Sequence, residues 1–159
     1  MTAVLTHPRI DDLVAPRRPE WTPAELCTLT SRIGTELTGS LLDQVRFASP
    51  RRWWARLALT DEVEVWLLSW LPGQHTAPHD HGGAAGAFAV ILGELSETYR
   101  YSRGPVARRT HRVGNAIGFG AGRVHQVWNT SAARAATVHA YSPPLVPTRE
   151  YPSLDRPTP

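Results

Sequence analysis

The sequence predicts an all-β body, folded as a closed barrel or a double-sheet jelly roll, with helices packed on its outside. Three observations point there. Short apolar runs with strand-like alternation recur from Arg51 onward. Fourteen prolines and twelve glycines lie between them, which suits tight turns joining short strands. Helical spacing is confined to residues 22–48. A chain of 159 residues with 42% hydrophobic content fits one domain, 1–159, with its own core.

Taken in order, residues 1–20 read as an irregular arm that ends in Pro16-Arg17-Arg18-Pro19. A helix then opens on Thr22 as N-cap, Pro23 in the first position and Glu25 closing a capping box. Leu26, Leu29, Ile33 and Leu37 form its apolar stripe, with Cys27 beside it as an inert, buried thiol. A second short helical stretch, Leu41 to Phe47, is expected to stop before Ser49-Pro50.

Strands follow over residues 52–143. Val63, Val65, Leu67 and Ser69 alternate with Glu64, Trp66, Leu68 and Trp70, so this strand is buried on both faces. Phe88 to Leu92 is a short apolar strand closed by Gly93. Leu95–Tyr101 and Val106–Val113 form a hairpin around Arg103-Gly104. Ile117–Phe119, Val124–Trp128 and Ala136–Tyr141 complete the set, and residues 144–159 read as an irregular tail. No solenoid repeat is visible.

Composition removes several function classes. All seventeen basic residues are arginine against fourteen acidic ones, a formal charge of only +3. The densest cluster, Arg108, Arg109 and Arg112, has no interleaved aromatics for stacking bases, so nucleic acid is not expected as a partner. One cysteine rules out an intramolecular disulfide and a multi-thiolate zinc site. No apolar run reaches the ~18–20 residues that span a bilayer, and no signal-peptide core opens the chain; a soluble, cytoplasmic protein without a membrane partner is expected. The oligomeric state stays open, a monomer being compatible with this chain.

Three histidines carry the chemistry. His79 and His81 are one residue apart, so on an extended backbone both face the same way. His125 lies on another strand, after Gly120-Ala121-Gly122-Arg123. Together they can occupy one face of a metal ion and leave the remaining positions open. The spacing Gly73-x5-His79-x-His81-x4-Gly86-x6-Gly93 is followed, twenty residues later, by Gly114-x5-Gly120-x-Gly122-x2-His125-x3-Asn129. These blocks resemble the two cupin motifs, with two departures: Gly86 stands where cupins usually carry a glutamate, and Gly120 where they carry a proline.

A cupin with three histidines and no acidic ligand resembles the cysteine dioxygenase family of thiol dioxygenases. Trp70 and Gly73 match its lead into the first motif, and Thr137, His139 and Tyr141 match its Ser-His-Tyr triad. The resemblance implies a cupin jelly-roll β-barrel and an iron(II) cofactor, Fe(2+), held by His79, His81 and His125. It implies Thr137, His139 and Tyr141 as the catalytic triad beside the metal, and Arg56 as the residue binding the substrate carboxylate. Trp54 falls where many relatives have a tyrosine that contacts the same carboxylate. Ser142-Pro143 falls where members carry a cis bond. Gly86 also occupies the position of the cysteine that mammalian members join to the tyrosine, so Tyr141 is expected to be unmodified, as in bacterial members.

The implied activity is cysteine catabolism: oxidation of L-cysteine by O2 to cysteine sulfinic acid, with a small thiol and O2 as the only partners. A dioxygenase of 3-mercaptopropionate is the near rival, and a metal-binding cupin without turnover is the alternative of another class. His75 and His111 read as solvated, and His7 as part of the arm.

Overall fold

The computed structural model describes residues 3–155. The arm is more ordered than its composition suggests. Strand β1 (Ala3–Val4) leads into helix α1 (Pro8–Val14), which His7 caps by accepting from Arg9 N, and which buries Ile10 and Val14 one turn apart. Helix α2 runs unbroken over Pro23–Gln44, with the capping box of Thr22 and Glu25 formed. The expected division near residue 40 is absent because Leu37 and Leu41 continue one buried stripe. That burial outweighs the ~1 kcal/mol penalty of Gly39 in a helix interior.

The strands are β2 (Trp54–Leu59), β3 (Glu64–Trp70), β4 (His79–Asp80), β5 (Ala85–Leu92), β6 (Glu94–Tyr101), β7 (Ala107–Arg112), β8 (Ala116–Phe119), β9 (Arg123–Trp128), β10 (Ala135–Ser142) and β11 (Arg149–Glu150). They form two sheets, ordered β1-β2-β3-β10-β5-β8 and β11-β4-β9-β6-β7. The expected closed barrel is corrected here: the two sheets face each other as a sandwich, and no strand pairing joins them among the described residues. The reason lies in the edges. Strands β1 and β11, at one end of each sheet, are two residues long, and so is the metal-motif strand β4. Edges that short leave little ladder with which to close a barrel.

Alternation then sorts the six-stranded sheet. Val65 and Leu67 of β3, Ala87 and Ile91 of β5, and Val138 and Ala140 of β10 share one apolar cluster with Leu26, Leu29, Ile33 and Leu41 of α2. The approach is close at Gly118, where an added Cβ would sit 2.1 Å from the Pro23 carbonyl oxygen. The opposite face of the same strands looks toward the second sheet.

The expected irregular tail also needs correction. β11 pairs with β4 through Arg149 opposite Asp80 and Glu150 opposite His79. Tyr151 donates to Asp80 Oδ2 at 2.5 Å, and Arg100 Nε donates to the Leu154 carbonyl at 2.7 Å. The bond between Ser142 and Pro143 is cis, as is that between Ser49 and Pro50. No helix among the described residues is long and apolar enough to cross a membrane.

Because Ile33 is fully buried between α2 and the sheet, Ile33→Ala should lower the unfolding free energy by about 2–5 kcal/mol. Urea titration measures this through the transition midpoint; a shift equivalent to less than ~1 kcal/mol would mean that α2 is not the sheet's main cover.

Candidate metal centre and its cavity

Register brings the three histidines together. His79 of β4 lies directly opposite His125 of β9 in an antiparallel pair, which puts their side chains on one face. His81 follows two residues after His79. The ring centroids stand 4.9 Å apart for His79 and His81, 4.7 Å for His79 and His125, and 5.0 Å for His81 and His125. One ligand nitrogen from each lies within 4.8 Å of the others.

Hydrogen bonds select which nitrogens face the centre. His79 Nδ1 donates to the Ala77 carbonyl at 2.8 Å, and His125 Nδ1 donates to Glu97 Oε1 at 2.8 Å, which leaves Nε2 on each ring for a metal. His81 Nε2 is buried and has no partner among the described residues. Such a nitrogen carries a desolvation penalty that a metal bond would remove. Burial, followed by the nearby His125, pushes His79 down to about 4 and His81 down to about 2. Both are therefore neutral, with lone pairs available. This donor set fits a divalent metal ion that suits imidazole.

Glu97, buried in β6, is the anchor of this arrangement. Its carboxylate accepts from His125, from His111 Nε2 at 2.9 Å, and from Arg123 Nε at 2.9 Å and Nη2 at 2.7 Å. Burial alone would raise its pKa; the hydrogen bonds from His111 and His125 and the neighbouring Arg123 outweigh that and hold it well below the usual carboxylate range. The expectation of a solvated His111 is corrected by the structure. This ring is only 4% exposed, because it alternates with the exposed Thr110 and Arg112 and points the other way from them.

The second group is a linear hydrogen-bonded run on β10. Trp70 Nε1 donates to Thr137 Oγ1 at 2.9 Å, Thr137 Oγ1 meets His139 Nε2 at 2.9 Å, and His139 Nδ1 meets the Tyr141 hydroxyl at 3.0 Å. Burial, with His125 next, lowers His139 well below its ordinary value, so the ring is neutral. Burial raises Tyr141, and it remains a protonated phenol. Tyr141 stacks on His81 with centroids 4.7 Å apart. Gly86 sits directly opposite Tyr141 in register. A Cβ there would come within 2.6 Å of the Phe119 ring and 2.9 Å of Tyr141, so these rings fill the space of a larger side chain.

These groups line a cavity of about 250 Å³, at the small end for ligand sites. Its walls include Trp66, Leu68 and Trp70 from β3, and Val146 and Thr148 from the tail. Two charged residues that the sequence reading did not single out also line it, Arg52 and Glu64. The Arg52 guanidinium lies 4.1 Å from the Trp70 ring centroid, and its buried Nη1 has no partner among the described residues. Arg56, expected to bind the carboxylate, does not line this cavity. It lies opposite Trp66 in register, with its guanidinium carbon 5.8 Å from that ring's centroid. Trp54 is 43% exposed and packs edge-on against Trp66. His75 is exposed beside Trp128.

The comparisons agree with this fold. A conserved protein with a double-stranded β-helix domain from Klebsiella pneumoniae is similar in structure, with a TM-score of 0.58 at 21% identity over 71% of this chain and 95% of that one. A protein from Thermus thermophilus matches with a TM-score of 0.56 at 23% identity over 65% and 93%. An oxalate oxidase in complex with the substrate analogue glycolate matches with a TM-score of 0.53 at 23% identity over 61% and 52%. The fold and the histidine cluster define a cupin with a candidate three-histidine metal site. The sequence profile of cysteine dioxygenase type I matches residues 42–153, and the chain belongs to that family.

Two substitutions test the centre. His81→Ala should abolish stoichiometric binding of an added divalent metal, with iron(II) as the probe, read by metal analysis after desalting. Glu97→Gln should weaken it about 10–100-fold, since it loosens His125 without removing a ligand. Unchanged affinity in both would dismiss the site.

Proposed function

We propose that the protein is an iron(II)-dependent thiol dioxygenase that oxidises L-cysteine with O2 to cysteine sulfinic acid. The observation that carries this reading is the Arg52 guanidinium, whose buried Nη1 has no hydrogen-bond partner among the described residues, in the same cavity as His79, His81 and His125, in a chain of the cysteine dioxygenase family. Iron(II) held by His79, His81 and His125 would supply the Lewis-acid and redox chemistry that joins a thiolate to O2. The reaction is balanced within its two substrates: both oxygen atoms go to the sulfur, and no external reductant is needed.

The chain's own residues bind and orient. Arg52 takes the carboxylate, as a planar fork suited to it. Thr137 donates to His139 Nε2, His139 Nδ1–H donates to the Tyr141 oxygen, and the phenol proton is left to point into the cavity. Trp70 fixes the start of this run by donating to Thr137. Tyr141 is a free phenol, since Gly86 offers no sulfur opposite it. The partners are the small thiol and O2, in a soluble, cytoplasmic setting. Oxidation of 3-mercaptopropionate is the second reading, because Arg52 would hold its carboxylate equally well.

Arg52→Ala should raise the Michaelis constant for cysteine roughly 10- to 100-fold with iron content unchanged, from the loss of a charge-assisted bond worth ~1.5–3 kcal/mol. Cysteamine, which has no carboxylate, should be a poor substrate and nearly insensitive. Arg56→Ala should leave the cysteine constant near the parent's. Steady-state kinetics decide the matter: the loss appearing at Arg56 instead would return the anchor to that residue, and no thiol-dependent oxygen uptake by the iron-loaded parent would end the dioxygenase reading.

A further inference from the structure

The connector between α1 and α2 carries two polar groups that the thiol chemistry does not use. Pro16 and Pro19 bracket Arg17 and Arg18 and restrict the backbone there. Trp21 stands just before the Thr22 cap, where an apolar residue staples the start of a helix. It is 4% exposed and belongs to the apolar cluster that holds Ile10, Leu26 and Leu29. Its backbone N–H donates to Ser142 Oγ at 3.2 Å, so the residue is held at ring and backbone alike. That structural role leaves the indole Nε1–H over, buried and without a partner among the described residues.

Arg18 is in the same condition. Its guanidinium carbon lies 4.6 Å from the Trp21 ring centroid, and its Nη1 donates to Glu25 Oε1. Its Nε is buried and has no partner among the described residues. Both residues line one recess of about 240 Å³, which shares no lining residue with the histidine-lined cavity. Leu13 and Leu29 give the recess apolar walls, and Arg32, paired with Glu36, stands at its side. Glu25, its one acid, is already engaged: Oε1 accepts from Arg18, and Oε2 from the Thr22 backbone N–H and hydroxyl.

Two buried N–H donors, one of them on a guanidinium, thus lack an acceptor beside apolar walls. Such donors are costly to leave unmade, and an ionised acceptor satisfies them best. We propose that this recess binds a small organic carboxylate with an apolar body, one oxygen accepting from Arg18 Nε and the other from Trp21 Nε1. The body lies against Leu13 and Leu29. A mineral anion would leave those walls uncovered, and a neutral alcohol would forgo the charge-assisted bond. The site is independent of the thiol dioxygenase reading.

Hexanoate and benzoate serve as probes, titrated into the isotope-labelled full chain and followed by proton–nitrogen correlation spectra. Of the six indole signals, the one missing from Trp21→Phe should move saturably, with a Kd on the order of 1 mM. Hexanol and inorganic phosphate should bind at least about tenfold more weakly than hexanoate. Arg18→Lys, which keeps the charge and removes the Nε–H, should weaken hexanoate at least about tenfold; Arg52→Ala should leave it within about twofold of the parent. If Trp21→Phe does not fold, the indole is assigned through its own backbone amide, and Arg18→Lys and hexanol remain decisive. Four results would each overturn the site: no saturable shift with either carboxylate, equal binding of hexanol, full binding by Arg18→Lys, or a shift that disappears in Arg52→Ala. The last would place the carboxylate in the histidine-lined cavity.

Discussion

Period-two alternation along β3 and β10 is the constraint on which the rest of the molecule depends. Val65 and Leu67, with Val138 and Ala140, pack toward α2. Their sequence neighbours Glu64, Trp66, Leu68 and Trp70, with His139 and Tyr141, line the cavity, and Thr137 joins them through its bond to Trp70. A slip of one residue in either strand would exchange the two sets. The apolar face under the helix therefore does more than stabilise the sheet. Its burial locks the register that aims the reactive face, so α2, which contributes no side chain to the cavity, fixes the cavity's geometry.

Inside that frame the polar groups are satisfied in two distinct ways. Glu97, His111, Arg123 and His125 form a closed network in which each charge has a partner. Removing one member of such a network is strongly destabilising, because it strands the others in a low-dielectric setting. The cavity itself is different: His81 Nε2, Arg52 Nη1 and Glu64 Oε2 are all buried and unpartnered. Three unsatisfied polar groups around one space suit a site that binds a polar ligand.

Much of this was legible in the residues, for physical reasons. The His79-x-His81 pair and His125 could be read because strand periodicity alone puts two imidazoles on one face. The α2 stripe and the β6–β7 hairpin follow from spacing and turn chemistry. What escaped depends on long-range placement. Arg52 and Arg56 have the same parity and the same chemistry, and only the folded chain distinguishes Arg52, before β2, which meets the cavity, from Arg56, within that strand, which does not. Glu97 and His111 each lie among polar strand residues, where a buried anchor looks like a solvated face. Glu64 did carry a signal, since an acid sharing a strand face with Trp66, Leu68 and Trp70 is out of place unless it has work there. The tail was unreadable because its order comes from β4 and Tyr151, not from its own pattern.

The glycine at position 86 ties the absence of a fourth protein ligand to the packing of the site. Read as a motif, it is only the absence of an acidic ligand and of a sulfur. In the structure it is a requirement, since Phe119 and Tyr141 occupy the volume a side chain would need, and both rings lie against His81, at 5.3 and 4.7 Å between centroids. The aromatic wall that displaces a fourth protein ligand is thus the same wall that holds the phenol and one metal-facing imidazole in place. The Glu97 carboxylate beside this wall is spent on His125, His111 and Arg123, so it is not free to serve as a fourth ligand. A divalent ion held there would have its open positions facing the cavity, where Glu64 is the one carboxylate among the described lining residues.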